Sequence, residues 1–201
     1  MAIFHHISES RYTLDGVIKY IASGARHSGK VALYGGFYVN PYYASRDMQL
    51  FKKICSKEGG SQYKHFVLSL DTDELPDCRN WKKYDYIPLS GPWEPFQEIA
   101  AAIQKLTQCQ MVFAVHTNIS HLHMHMIINS VRMDTGMKLN IDYPLFITML
   151  NICDETLNKY NVGRIHTYKS ERLFRVYAKR AGTFYTFREI PLAIACNTKP
   201  F

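Results

Sequence analysis

The run His121-Leu122-His123-Met124-His125 constrains this chain more than any other. It opens an apolar stretch, Leu122 to Val131, and a second apolar stretch, Met111 to His116, comes shortly before it. The two read as adjacent central strands. A strand repeats every two residues, so the three alternating histidines emerge on one face. A neutral imidazole binds a divalent ion through one ring nitrogen at roughly 2.0–2.2 Å, so three of them on a rigid sheet can hold an ion and leave coordination positions open. His116, seven residues before His123, ends the preceding stretch and could supply the third ligand from the neighbouring strand. Three or four histidines within ten residues on an otherwise apolar strand pair are hard to explain as core. The spacing points to a metal site without naming a reaction.

Around this pair the chain alternates helical and strand periods. Ala2 to Ile7 reads as a short lead strand. Leu14, Val17, Ile18 and Ile21 then recur at helical spacing, with Gly24 as the expected stop and Tyr20 bordering the apolar stripe. A strand is expected over Val31 to Val39, a helix over Pro41 to Lys57, a break at Gly59-Gly60 and a strand over Tyr63 to Leu70. His65, Val67 and Ser69 share one face of that strand. Asp71 to Pro95 holds four prolines and reads as a long loop with at most a short strand at Tyr84 to Leu89. Glu94 to Thr107 is an amphipathic helix, Asp134-Thr135-Gly136 a turn, and Tyr143 to Tyr160 a further helix ending near Gly163. Short strand-like pieces follow at Arg164 to Tyr168, Leu173 to Ala178 and Phe184 to Phe187. There is no internal repeat and no clear linker, so 201 residues at 47% apolar content are expected to form one domain around one core.

Charge narrows the partners. The chain carries 24 Lys and Arg against 17 Asp and Glu, a net of +7. From Gly163 onward, eight basic residues face only Glu171 and Glu189. Such an imbalance suits a polyanion, nucleic acid or an acidic membrane face. Arg172, Arg175, Lys179 and Arg180 alternate there with Tyr168, Phe174, Tyr177, Tyr185 and Phe187, the mixture of cations and flat rings that single-stranded nucleic acid requires. The five cysteines are scattered, odd in number and without a CxxC pair, which argues against a thiolate zinc cluster and a disulfide framework. With no signal-like leader and no apolar run near the ~20 residues of a membrane span, a soluble chain of the reducing cytosol is expected, without membrane insertion.

Ala114 to Ser130, read as AVHTNISHLHMHMIINS, resembles the third motif of P-type mobilisation relaxases, which belong to the HUH endonuclease superfamily. In that family a first histidine and a later histidine-x-histidine pair bind the ion. The resemblance maps these onto His116, His123 and His125, and leaves His121 at a position often polar or histidine in relatives. Val17-Ile18-Lys19-Tyr20-Ile21 resembles the first motif, whose tyrosine is the nucleophile, which implies that role for Tyr20. His65 to Leu70 resembles the second motif, whose serine is associated with DNA contact near the nick, which implies Ser69. The likeness covers roughly residues 12 to 165. One departure stands out: relatives commonly carry an aspartate two residues after the first histidine, where this chain has Asn118. An amide can orient a ligand but cannot act as a base at neutral pH, so the proton acceptor is left unassigned.

The resemblance implies an α/β (α+β) fold, HUH endonuclease-like, with a central antiparallel sheet of about five strands. Flanking helices would pack mainly on one face, and the helix of Tyr20 would lie over the ion. It implies a bacterial, cytoplasmic enzyme that uses Mg²⁺ or Mn²⁺ to nick single-stranded origin-of-transfer DNA through a 5′-phosphotyrosine intermediate and to rejoin it. Accessory DNA-binding proteins and a conjugative coupling protein are the implied partners. Residues 1–201 would be the relaxase domain, alone or at the N-terminus of a longer chain. Two alternatives stay open: a rolling-circle replication initiator, which shares the histidine and tyrosine chemistry, and a three-histidine metal hydrolase or non-catalytic metal-stabilised DNA-binding module, for which Tyr20 is irrelevant. Among 14 tyrosines, one beside an apolar stripe is commonly a packing residue, and Tyr12 and the Tyr42-Tyr43 pair compete for the nucleophile's role.

Overall fold

A computed structural model of the chain describes residues 2–7, 13–27, 31–71, 93–117 and 121–166, with side chains left undescribed at 24–27, 71 and 121. The expected strands at 84–89, 173–178 and 184–187 lie outside the described residues, as do Tyr12, Asn118, Arg172, Arg175, Lys179 and Arg180. The side chain of His121 is likewise outside them.

The elements run β1 (Ile3–Ile7), α1 (Leu14–His27), β2 (Val31–Phe37), α2 (Ala44–Ile54), β3 (Tyr63–Asp71), α3 (Glu94–Thr107), β4 (Cys109–His116), β5 (His121–Arg132) and α4 (Tyr143–Lys159). The five strands form one antiparallel sheet in the order β1-β3-β5-β4-β2. The strands that carry His116, His123 and His125, β4 and β5, are therefore neighbours, and the longest, β5, occupies the centre.

Local chemistry sets the helix starts. Thr13 Oγ1 accepts the Gly16 amide at 3.1 Å, satisfying one of the free amides at the start of α1. Asp15 in the first turn meets the positive end of the helix dipole and pairs with Lys19 at 2.6 Å. Asp142 caps α4 in the same way, its Oδ1 accepting the Leu145 amide at 2.9 Å, and Pro144 follows where no helical amide is needed. Expected boundaries move in the first two helices. The first helix runs through Gly24 to His27, because a glycine inside a helix weakens it by about 1 kcal/mol relative to alanine without ending it. The second begins at Ala44 rather than Pro41, since Asn40 folds the chain into a turn first, its carbonyl and Oδ1 accepting the Tyr43 and Tyr42 amides.

The helices are divided between both faces of the sheet rather than gathered on one. On one face Phe4, Phe66, Leu68, Phe113, Met124 and Met126 pack against Phe96, Ile99 and Ile103 of α3 and Phe146, Met149 and Leu150 of α4. Phe4 stacks on Phe66 and on Phe146, with ring centroids 5.2 and 5.7 Å apart. On the other face Val112, Ala114 and Ile127 are covered by Leu14, Val17, Ile18 and Ile21 of α1 and Met48 of α2. The reason lies in β4, which is buried along its whole length: a strand apolar on both sides needs a cover on each. Beyond α4 the piece expected at 164–168 is, among the described residues, a single parallel bridge between Ile165 and Ala2. No helix among the described residues is long and apolar enough to cross a membrane.

Candidate metal and nucleophile site

The sheet register assembles the histidines. His116 of β4 lies directly opposite His123 of β5, and side chains opposite one another in an antiparallel pair share a face. His125, two residues further along β5, emerges on the same side. Their ring centroids form a nearly equilateral triangle, with separations of 5.1 Å for His116 and His123, 4.8 Å for His116 and His125, and 5.0 Å for His123 and His125. All three are buried, and one ring nitrogen from each falls within 4.8 Å of the others.

Helix α1 closes the triangle from above. The Tyr20 ring stands edge-on to His125, with centroids 5.8 Å apart and planes at 84°. It is 47% exposed, so an incoming strand can reach it. The next residue contributes through its backbone: His116 Nε2 lies 2.8 Å from the Ile21 carbonyl oxygen. A carbonyl only accepts, so His116 carries its proton on Nε2 and keeps a lone pair on Nδ1.

A fourth imidazole backs the triangle. His65 Nε2 lies 2.9 Å from His125 Nδ1, both rings buried, with His5 of β1 on the same face two strands from β5. Burial pushes the His125 pKa down to about 2, and the nearby His65, His116, His123 and His5 add to the effect. Burial also lowers His65 to about 4, with His5 adding to it. His116 is lowered by burial, which its bond to the Ile21 carbonyl partly opposes. The common cause is desolvation, which penalises an imidazolium without a carboxylate beside it. These rings are neutral at neutral pH, the state in which an imidazole can bind a metal.

The residues present fit a divalent ion. His125 Nε2 is buried without a hydrogen-bond partner, an arrangement an ion in the triangle would satisfy. Three nitrogen donors suit borderline transition ions better than Mg²⁺, which prefers oxygen ligands in a near-ideal octahedron.

The other expected residues fall in different places. Ser69 lies opposite His123 across the β3–β5 pair, on the histidine face and half-buried at its margin. Tyr42 and Tyr43 line a separate cleft of about 660 Å³ with Asp15, Lys19, Ala22 and Ser23 of α1. At 100° per residue Tyr20 lies about 115° around the helix from the mean direction of those four. Neither Tyr20 nor any of His116, His123 and His125 lines that cleft. Three contributors go beyond the residues proposed from sequence: His65, His5 and the Ile21 carbonyl. His65 was visible as a face-mate of Ser69, but its meeting with His125 depends on the strand order. A backbone carbonyl has no signature in a sequence at all.

Comparison with curated proteins gives no match. A family model described as relaxase, MobA/VirD2-like, nuclease domain matches residues 20–162, which begin at Tyr20 and take in the β3 motif, the histidine strands and α4. That match takes in well over half of the chain, and the chain belongs to the MobA/VirD2-like relaxase family, of which it carries the nuclease domain.

Proposed function

We propose that this chain is a relaxase that nicks single-stranded DNA at the transfer origin of a plasmid or integrative element by tyrosine transesterification, and then rejoins it. The observation that carries the reading is the half-exposed Tyr20 ring standing against His125 of a three-histidine cluster, in a chain of this nuclease family. Held by His116, His123 and His125, a divalent ion would supply positive charge to a nonbridging phosphate oxygen. Mn²⁺ fits the nitrogen donors better than Mg²⁺.

The chain's own part is nucleophile and frame. Tyr20 Oη forms a bond to phosphorus as the bond from phosphorus to the 3′ oxygen breaks. The phenolic proton leaves Oη, and the departing 3′ oxygen takes up a proton. One phosphate ester is exchanged for another, so the reverse attack by the 3′ hydroxyl restores the strand, whereas attack by water would make the break permanent. The bond from His116 to the Ile21 carbonyl ties the turn of α1 that carries Tyr20 to the cluster, which fixes the approach of the nucleophile. Ser69, at the margin of the histidine face, is assigned to the DNA near the nick, and Arg172, Arg175, Lys179 and Arg180 to phosphates further along the strand. Accessory DNA-binding proteins and a coupling protein are the partners this reading calls for.

The test is incubation of end-labelled single-stranded DNA spanning the element's transfer origin with protein and Mn²⁺, beside the Tyr20→Phe variant. Cleavage with a protein–DNA adduct in the parent, and neither in the variant, is the expected outcome. Cleavage that persists in the variant, or that proceeds in the parent without an adduct, contradicts it.

A further inference from the structure

We propose that His65 is a positioning residue of the metal centre: it holds His125 Nδ1 and so commits His125 Nε2 to the ion. The inference rests on the metal-site reading above and adds a residue to it. The geometry is specific. His65 sits on β3 opposite Ile127 of β5, and its ring reaches along the sheet to His125, with the two nitrogens 2.9 Å apart. Both side chains are buried, so no bulk water competes for that bond.

A free imidazole has two tautomers and two ring orientations, and only some of these aim a lone pair at a given point. The bond between the two nitrogens can run in either direction; an ion at His125 Nε2 needs the lone pair there and so selects the form in which His125 Nδ1 donates to His65 Nε2. His125 Nε2 is the atom buried without a partner beside His116 and His123. His65 in turn must accept at Nε2 and carry its proton on Nδ1. The usual orienting partner of a ligand histidine is a carboxylate or a backbone carbonyl. Here the partner of His125 is a neutral ring, which adds no negative charge to the centre. The double charge of a bound ion is thereby left undiminished for an anionic phosphate.

The experiment measures Mn²⁺ binding to the full chain without DNA, by titration calorimetry, in the parent, His65→Leu and His65→Gln. The glutamine amide oxygen reaches the position of Nε2 and accepts the same hydrogen bond; leucine fills the space and accepts nothing. His65→Leu should bind Mn²⁺ about 10- to 100-fold more weakly, and His65→Gln should stay within about 3-fold of the parent. Should the leucine variant fail to fold, His65→Asn takes its place, since its shorter amide falls short of His125. Parent-like affinity in the leucine or asparagine variant, or a glutamine variant as weak as these, overturns the role of His65 while the metal site stands. A parent that binds no Mn²⁺ overturns the metal site itself and this inference with it.

Discussion

Acidification of the metal-free protein should destabilise it, and the size of the effect follows from the histidine face. A histidine has an ordinary pKa near 6.5 in the unfolded chain. In the folded protein His65 is lowered to about 4 and His125 to about 2. Between those values and 6.5 the unfolded chain binds protons that the folded chain refuses, so stability rises with pH across this window and falls as the pH drops through it. At pH 5 both rings stay neutral in the folded state, so the loss depends on the unfolded value and hardly on how far below it each folded value lies. Going from pH 7 to pH 5, each ring accounts for about 2 kcal/mol, together about 4 kcal/mol. His5, His6 and His116 are lowered too and act in the same direction. Against a domain stability of roughly 5–15 kcal/mol this is a large fraction. Urea unfolding in the presence of a chelator, followed by far-ultraviolet circular dichroism, measures it. With a slope of about 2 kcal/mol per molar urea, the midpoint should fall by about 2 M between pH 7 and pH 5. Equal midpoints at the two pH values, with unchanged slopes, would refute the claim that these rings are held neutral by burial.

Binding to single-stranded DNA should weaken steeply with salt under the proposed role of the basic residues after Gly163, which would neutralise phosphates and displace the counterions condensed on them. The logarithm of affinity should fall linearly with the logarithm of salt at about −0.7 per phosphate contacted, and a flat plot between low and moderate salt would contradict phosphate contact. Thr13→Ala should lower unfolding stability by about 1 kcal/mol through the lost cap of α1, measured by urea titration; no loss would mean that the Gly16 amide is satisfied otherwise. Gly35→Ala should be worse for the fold, at about 1–3 kcal/mol, because the added Cβ would come within 2.7 Å of the Phe113 ring, which is itself packed on Phe37. A parent-like urea midpoint would show that Phe113 can yield.

The histidine site was legible in the sequence because its geometry is nearly all local. Alternation alone puts His123 and His125 on one face, and a hairpin-like pair of strands puts His116 beside them. Tyr20 was placed by the apolar stripe of α1 and by resemblance, and its meeting with His125 follows from how that stripe seats on Val112, Ala114 and Ile127. What the sequence did not disclose is the consequence of strand order. His65 and His125 are 60 positions apart, and they meet because β3, not β4, pairs with the other edge of β5. The division of helices between the faces was hidden for a related reason. Continuous apolar runs such as Met111 to Val115 show that a strand is buried, but not which helix covers which side. Gly24 misled because a glycine signals a stop only where the chain turns left-handed, as it does at Gly136 in the turn after β5, with φ of +64°.

The central claim, that Tyr20 is the residue that takes the DNA, is tested most directly by mass spectrometry of the covalent adduct. Protein and single-stranded origin DNA are incubated with Mn²⁺, the complex is digested with protease and nuclease, and the peptide that carries the nucleotide is sequenced. A phosphotyrosine-linked nucleotide on the peptide that contains Tyr20 is the expected result. A nucleotide on the peptide containing Tyr42 and Tyr43, or an adduct that survives Tyr20→Phe, would contradict it.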